Sequence, residues 1–319
     1  MAELTLWDFL SARGENVILR WVKDARLTTR DRAAFNQKLD RLRQMDFDLA
    51  IGTKLLAGPI EKQRHIYKLV IHGDVMLRPL LSRGPIDPEA EYTLLLGAIE
   101  RGGKLPKDAP QQAEDNRLIV LDDPPGGYPM SESRDILKEE FQDKEYRHAY
   151  AEDFLNTKIA AQIRVLREQR GWTQADLADR IGTKQAGVSR LENVNYSGWK
   201  IETLKKIARA FDMTFNGGFE SFGKLLDEAE KFSRETLEKP SFENDPGFYA
   251  REAASAKVQR LAISNLYIDQ LVIRGESDMN IHLPISLRID LPKEAMYLKS
   301  IKADDTKKEG GFIYEGRAA

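Results

Sequence analysis

The stretch that decides the fold runs from residue 171 to residue 193. It reads Gly171-Trp-Thr-Gln-Ala-Asp-Leu-Ala-Asp-Arg-Ile-Gly182 and then Thr183-Lys-Gln-Ala-Gly-Val-Ser-Arg-Leu-Glu-Asn193. Apolar residues recur at helical spacing in two short runs, which are Ala175, Leu177, Ala178 and Ile181, and then Ala186, Val188 and Leu191. Thr173 and Thr183 predict the two N-caps, because a hydroxyl accepts a hydrogen bond from a free backbone N–H. Gly182 predicts the end of the first helix, since glycine tolerates positive φ. Two short helices joined by a tight glycine-containing turn form a helix-turn-helix.

The sequence around this motif, from about Ile159 to Phe211, resembles the Cro/lambda-repressor-type (XRE) helix-turn-helix family. The resemblance includes a preceding helix over residues 159–170 and a following helix over residues 201–211. It implies duplex DNA as a partner, with the N-terminal residues of the second helix in the major groove. Matched residue by residue, it assigns Lys184, Gln185, Ser189 and Arg190 to base edges, and Gln174, Asn193, Tyr196 and Lys200 to phosphates. The alternative is an ordinary helical bundle. Gly187 departs from the pattern and should cost about 1 kcal/mol relative to alanine.

The charge distribution agrees with a DNA-binding region. The whole chain has a net charge of −2. Residues 156–210 carry eleven Lys and Arg against five Asp and Glu, whereas residues 131–155 carry four against eight and residues 211–250 carry four against nine. A local excess of cations is what contact with phosphates predicts.

Composition bounds the class of protein. A chain of 319 residues predicts two or three domains, and 41% apolar residues supply their cores. No run of about 18 apolar residues predicts a membrane span, and residues 1–10 lack a signal-peptide layout. The absence of cysteine excludes disulfides and thiolate metal sites, and the four histidines lack metal-ligand spacing. We therefore expect a cytoplasmic protein without metal, cofactor or membrane partner.

The N-terminal part predicts an α+β domain over residues 1–120. Two helices are expected within residues 14–45, capped at Asn16 and at Thr28 or Thr29. The spacing of apolar residues then changes from helical toward every second residue. It predicts strands over residues 66–71, 75–80 and 92–96, with Gly73-Asp74 as a turn. A short helix is expected over residues 109–117. Helices followed by an antiparallel sheet are typical of an α+β fold.

Residues 4–120 resemble the HigB-like branch of the RelE/ParE toxin superfamily. The matching pieces are Leu55-Leu-Ala-Gly-Pro59, Ile66-Tyr-Lys-Leu69, Met76-Leu-Arg-Pro-Leu80, Tyr92-Thr-Leu-Leu-Leu96 and the loop over residues 101–106. The family's usual Glu-Leu-Arg is here Lys68-Leu69-Val70, and its paired loop lysines are here Arg101-Gly-Gly-Lys104. Both departures touch residues that bind or cleave RNA in relatives, so we expect a weak or inactive endoribonuclease.

The resemblance also supplies the candidate catalytic residues, which are His65, Tyr67, Arg78 and Lys104, with Arg64, Arg83 and Arg101 on the same face. RNA cleavage of this type requires cations for the phosphate and a general acid or base. His65 is the candidate acid or base because its unperturbed pKa lies near neutrality. The alternatives are a surface role for His65, a packing role for Tyr67, and binding of an acidic partner helix by Arg101 and Lys104.

The rest of the chain predicts a linker and an antitoxin-like part. Residues 121–133 are rich in Pro and Gly and predict a linker. Residues 134–215 predict the helix-turn-helix domain with an acidic leading helix, and residues 216–244 a further helical segment with a helix over 223–236. Together they resemble HigA-type antitoxins. We expect residues 136–150 to dock in cis on the basic N-terminal domain through Phe141, Tyr146 and Tyr150, since aromatic residues concentrate binding energy.

Residues 245–319 predict a small β-containing region with a loosely ordered tail. Apolar residues alternate from Ile281 to Leu291, which is typical of a half-buried strand. Residues 266–273 are the expected partner strand. The apolar face of the strand predicts either pairing with a second chain in a two-fold homodimer or packing on its own helix-turn-helix.

These features predict a multidomain protein with an α+β RelE-like domain, an all-α helix-turn-helix domain and a small β-containing C-terminal region. The leading interpretation is a HigB–HigA-like toxin–antitoxin fusion that regulates transcription by binding a duplex DNA operator. The alternatives are an endoribonuclease acting on mRNA or at the ribosome and inhibited in cis, and a toxin-like fold kept only as an interaction module.

Overall fold

A computed structural model describes residues 4–60, 62–122 and 134–247. The predicted strand over residues 281–291, its predicted partner over 266–273 and most of the predicted linker lie outside these ranges. The described helices are α1 (Val17–Asp24), α2 (Thr29–Gln44), α3 (Phe47–Gly52), α4 (Ala109–Asp122), α5 (Arg134–Glu140), α6 (Lys144–Gln169), α7 (Gln174–Ile181), α8 (Gln185–Leu191), α9 (Ile201–Ala210), α10 (Phe222–Glu230) and α11 (Arg234–Leu237).

The strands are confined, within the described residues, to the N-terminal part. They are β1 (Thr5–Asp8), β2 (Leu56–Ala57), β3 (Tyr67–Leu69), β4 (Ile71–His72), β5 (Met76–Leu77), β6 (Leu80–Arg83), β7 (Glu91–Leu96) and β8 (Ile99–Glu100). Five form a sheet in the order β1-β7-β6-β3-β2, and β4, β5 and β8 form a second, antiparallel sheet. A mixed α/β N-terminal part therefore precedes a helical part, as the sequence predicts.

The sheet differs from the prediction at its start. β1 precedes the helices and pairs parallel with β7, Thr5 opposite Glu91, so the larger sheet is mixed rather than antiparallel. In β1, Leu6 and Asp8 are buried and alternate with half-buried neighbours, as in a strand with one covered face.

Two predicted strands are each divided between the two sheets. The predicted strand over residues 66–71 becomes β3 and β4, and that over 75–80 becomes β5 and the start of β6. Pro79 lies at the second break and lacks a backbone N–H for a ladder, which explains why pairing stops there. The predicted turn at Gly73-Asp74 joins β4 to β5, whose register pairs His72 with Met76.

Helix boundaries follow local capping signals. The Asn16 side chain accepts a hydrogen bond from Leu19 N at 2.9 Å and caps α1. Thr28, rather than Thr29, caps α2 through Asp31 N at 3.1 Å. The helix predicted over residues 109–117 continues to Asp122 and so takes in the first two residues of the predicted linker.

Two helical predictions are corrected in the C-terminal half. The predicted acidic leading helix is divided between α5 and the start of α6, and α6 continues through the predicted first helix as one helix of 26 residues. The helix predicted over 223–236 is divided into α10 and α11, because Ser233 begins a new helix with a capping box to Thr236.

One compact unit, residues 1–249, contains both the α/β part and the helical part. Its largest core cluster joins side chains of the two parts, since Leu39, Leu42 and Leu49 are buried with Phe154, Val165 and Phe232. α2 packs along α6, so the long helix is half covered by the N-terminal part.

The N-terminal half of α6 docks on α2 through aromatic residues. Tyr146 and Tyr150 are fully buried beside Ala33, with Phe141 packed against them. The Tyr146 hydroxyl accepts a hydrogen bond from Asn36 Nδ2, and the Tyr150 hydroxyl donates to Asp40 Oδ2, each at 2.8 Å. The predicted docking in cis through these aromatic residues is therefore present.

Candidate nucleic-acid interface

The helix-turn-helix forms where the sequence predicts it, in α7 and α8. The Thr173 hydroxyl accepts from Asp176 N at 3.2 Å, and the Asp176 carboxylate accepts from Thr173 N at 2.7 Å. The Thr173 hydroxyl also donates to the Asp176 carboxylate at 2.7 Å, and this bond and that from Thr173 N hold the pKa of Asp176 below its ordinary value. Gly182 ends α7 at φ +69°, a conformation that favours glycine.

The second helix, α8, differs from the prediction at its cap and on its buried face. Lys184, not Thr183, is the N-cap, and no side chain caps this helix. The Thr183 side chain instead occupies the space beside Gly187, where an added Cβ would lie 2.8 Å from its hydroxyl. Ala186 is exposed although the apolar run of this helix predicts that it is buried with Val188 and Leu191. It is two residues from Val188 and so points to the opposite face.

One face of α8 is buried and the other is exposed. Val188 and Leu191 pack with Leu177 and Ile181 of α7 and with side chains of α6 and α9. Lys184, Gln185 and Arg190 are exposed, and Ser189 is half-buried. The side chains assigned to base edges therefore lie on or beside the open face of α8, which we call the reading helix.

A chain of hydrogen bonds fixes the start of the reading helix. Glu192 is buried and accepts two hydrogen bonds from the buried guanidinium of Arg167. Its Oε2 also accepts from Gln174 Nε2 at 2.8 Å, and Gln174 Oε1 accepts from Gln185 Nε2 at 2.5 Å. The ion pair thus orients a glutamine of α7, which in turn orients a glutamine of the reading helix.

The residues assigned to phosphates lie along the same region. Asn193 Oδ1 accepts from Asn195 N at 3.0 Å and stabilises the turn after the reading helix. The Tyr196 hydroxyl donates to Gly198 O, and its ring packs edge-on against Trp199. Lys200 is exposed at the N-cap of α9.

The candidate catalytic residues have separate surroundings. Arg78 is buried, and its guanidinium donates to Glu100 at 2.6 Å and to two backbone carbonyls, so its Nε and Nη1 are already bound. Tyr67 packs edge-on against Phe47. His65 and Lys104 are exposed. Within the described ranges, no hydrogen bond or ion pair joins any two of these four residues.

The neighbouring cations are partly used in structural contacts. Arg83 donates to Pro88 O at 2.6 Å, pairs with Glu89 and lies 4.5 Å from the centre of the Phe47 ring. Arg101 and Lys104 pair with each other through backbone hydrogen bonds across a glycine turn, and Arg64 is exposed. Catalysis by this set stays a prediction.

Residues of the N-terminal part reach the reading helix, and the sequence reasoning missed them. The Lys54 ammonium donates to Ser189 Oγ at 3.1 Å, and Val194 N donates to Thr53 O at 3.0 Å. Gly52 leaves room for the Arg164 guanidinium, because a Cβ there would lie 1.9 Å from it. These contacts join residues more than a hundred positions apart, which no local pattern encodes.

The part of the chain that the structure describes offers no candidate metal site and no candidate membrane-spanning helix. No group of three His, Asp or Glu residues there could hold a metal ion. None of the helices described combines the length and apolar character needed to cross a bilayer.

Comparisons with known proteins concern the helical part. The sequence model of the helix-turn-helix family matches residues 163–217. Antitoxin HipB of Escherichia coli is 38% identical over 58 residues, which cover 18% of this chain and 65% of the relative. A competence pilus inhibition repressor of Acinetobacter baylyi is 41% identical over 54 residues, covering 17% and 48%.

A longer match is to the HTH-type transcriptional repressor RghR of Bacillus subtilis, 33% identical over 92 residues, which cover 24% of this chain and 68% of that protein. The chain spans under two thirds of the HipB antitoxins that it matches, 61% of one and 65% of another. No solved structure matches the chain significantly.

Proposed function

The chain belongs to the helix-turn-helix family through residues 163–217, and we propose that it is a sequence-specific, duplex-DNA-binding regulator of transcription. The observation that carries this proposal is the reading helix, which is packed on one face and presents Lys184, Gln185 and Arg190 on the other. A helix held in this way by a second helix is suited to the major groove.

Each polar residue of the interface has a proposed role. Arg190 would bind guanine and Gln185 adenine in bidentate fashion, with Lys184 and Ser189 at adjacent base edges. Gln174, Asn193, Tyr196 and Lys200 would bind phosphates and set the register of the helix on the duplex. The hydrogen bonds from Glu192 through Gln174 to Gln185 support this assignment, since they hold the glutamines in place before DNA binds.

A two-fold homodimer is part of the proposal. A single reading helix contacts only a few base pairs, and two helices on successive major-groove faces are about 34 Å apart. We expect a palindromic operator for this reason. Light scattering of the full chain at micromolar concentration tests it, and a monomeric mass both free and on the operator would contradict a dimer.

The finer proposal is a HigB–HigA-like fusion, in which the α/β part is a toxin-type fold kept with its antitoxin in one chain. The buried contact of α2 with Tyr146 and Tyr150 supports it, because such docking is what inhibition in cis requires. The competing function is an endoribonuclease of the RelE/HigB type. The exposed His65 is available for it, whereas Arg78 is buried and its Nε and Nη1 bind Glu100 and two backbone carbonyls.

Fluorescence anisotropy with labelled duplexes from the region upstream of the gene tests DNA binding. We expect one duplex to bind at least a hundredfold more tightly than its scrambled version, with affinity falling as salt rises. Equal affinity for both duplexes would overturn the proposal. In parallel, mRNA cleavage by the full chain that is abolished in His65→Ala would favour the endoribonuclease.

A further inference from the structure

The end of α3 is attached to the loop that follows the reading helix. Val194 is fully buried in the core that the N-terminal part shares with α6, and its N–H donates to Thr53 O at 3.0 Å. Its carbonyl accepts a hydrogen bond from the buried ammonium of Lys38 at 3.1 Å. Both polar groups of the Val194 backbone are therefore bound by the N-terminal part, which fixes residues 52–54 beside the reading helix.

Lys54 extends from this attachment toward the open face of the reading helix. Its ammonium lies 3.1 Å from Ser189 Oγ and 3.5 Å from Ser189 O, and its side chain is exposed. The backbone of Lys54 has φ +60°, which residues other than glycine rarely adopt. Backbone held in such a conformation by its surroundings concentrates at functional sites.

The charge of Lys54 is not compensated. Among the described residues, no carboxylate lies within ion-pair distance of its ammonium, whereas Arg164 and Arg167 nearby are paired with Glu192 and Glu168. Hydrogen bonds to a hydroxyl and a carbonyl leave the charge of the ammonium unpaired at the surface, beside Ser189 of the reading helix. A lysine in this setting suits a phosphate, which it binds as a point charge.

We propose that Lys54 binds a backbone phosphate of the duplex that the reading helix enters, so that the N-terminal α/β part forms part of the DNA-binding surface. A helix in the major groove is flanked by the phosphates of both strands. Ser189 lies in the second half of the reading helix, and Lys54 lies beside it, where a flanking phosphate would pass. This inference rests on the proposed function, since it requires that the protein bind duplex DNA.

The test uses the full chain and the slope of log affinity against log salt concentration. Neutralising one phosphate contact lowers the magnitude of that slope by about 0.9. We expect Lys54→Gln to lower it by that amount and to weaken operator and scrambled duplex by the same severalfold factor. Lys54→Arg should keep the wild-type slope. Lys107→Gln is the matched control, because Lys107 is an exposed lysine of the same part, next to α4, which packs on β6 and β7.

Lys54→Gly is a second variant in case Lys54→Gln fails to fold, since glycine removes the charge and also suits φ +60°. A wild-type slope in Lys54→Gln and Lys54→Gly would overturn the proposal. A loss of affinity for the operator alone, with an unchanged slope, would also overturn it, because Lys54 would then act through Ser189. A gain in affinity would overturn it as well, because Lys54 would then shield the reading helix. A wild-type chain that binds no duplex selectively would overturn the proposed function itself.

Discussion

At the residue scale, the interface depends on side chains that orient other side chains. Glu192 is buried and binds Arg167, Arg164 and Gln174 at once. Gln174 in turn orients Gln185 through a hydrogen bond. Arg190 is exposed, and no side chain among the described residues orients it in this way. Substitution of Arg190 should therefore change DNA recognition without changing folding.

Arg190→Ala should weaken operator binding by about 1–3 kcal/mol and relax specificity at one base pair. Its stability should remain close to that of the wild type, because the side chain is exposed. A series of operators with single base-pair changes, measured against both proteins, gives the comparison. If all positions keep their wild-type discrimination, Arg190 does not contact a base.

Local chemistry made several of these residues predictable. Thr173 and Gly182 lie at the ends of α7 as expected, because capping depends on neighbours within a few positions. The error at Thr183 has a tertiary cause, since its side chain packs over Gly187 rather than capping α8. Lys54 could not be predicted, because 135 positions separate it from Ser189 in the sequence.

At the scale of elements, two of the ion pairs that join the N-terminal part to the helical part differ in burial. Lys38 of α2 pairs with Asp153 of α6 at 3.1 Å and also donates to Thr157 Oγ1. Asp46 caps α3 and accepts from Arg234 of α11 at 2.8 Å. Lys38 is fully buried and Asp153 is largely covered, whereas both members of the second pair are only partly covered, so the two pairs should respond differently to substitution.

Lys38→Met should lower the free energy of unfolding by about 3–5 kcal/mol, because it leaves a buried carboxylate without its partner. Burial lowers the pKa of Lys38 and raises that of Asp153, and their mutual attraction opposes both shifts. Lys38→Met combined with Asp153→Leu should recover at least half of the loss. Urea unfolding of the three proteins measures this, and a double variant as unstable as the single one would refute it.

Asp46→Asn should cost about 1 kcal/mol at neutral pH, since it keeps the cap acceptor but loses the charged partner of Arg234. Burial alone would raise the pKa of Asp46, but hydrogen bonds from Arg234 and Leu49 N outweigh it and hold the pKa below 3.8. A lowered carboxyl pKa stabilises the fold above the unfolded value, and this contribution is lost as pH falls through the folded value.

The difference between the wild type and Asp46→Asn should therefore shrink as pH falls below about 3.8. Unfolding free energies measured from pH 7 down to the acid limit test this dependence. Asp48→Asn is the control, because Asp48 is exposed on the same helix. A difference that stays constant over this range would exclude the ion pair as its origin.

At the scale of the whole molecule, the two parts share one core. Leu39 and Leu42 of α2 are buried in the same cluster as Phe154 and Val165 of α6. The sequence predicts two separate domains, over residues 1–120 and 134–215, and this division stays a prediction. The sequence predicts the docking of residues 136–150 on the N-terminal part, but not the core that α2 shares with the rest of α6, because hydrophobic periodicity identifies a buried face but not the partner that covers it.

A shared core predicts that residues 1–249 unfold in one transition. Trp7 and Trp21 report on the α/β part, and Trp172 and Trp199 on the helical part. A variant with Trp7→Phe and Trp21→Phe, and another with Trp172→Phe and Trp199→Phe, isolate each pair. In each variant, the fluorescence midpoint should coincide with the circular dichroism midpoint. Separate midpoints would indicate two independently folding parts.

The unbroken length of α6 has a consequence for the DNA around the operator. Its 26 residues make a rod about 39 Å long. The α/β part packs on one half of this rod, and the reading helix packs on the other. A protein bound to DNA through α8 therefore places its α/β part alongside the double helix. Nuclease protection should extend beyond the base pairs that α8 contacts, and a footprint no wider than those base pairs would argue against this. Under the proposed function, a chain bound beside a promoter would cover adjoining DNA that a polymerase needs to reach.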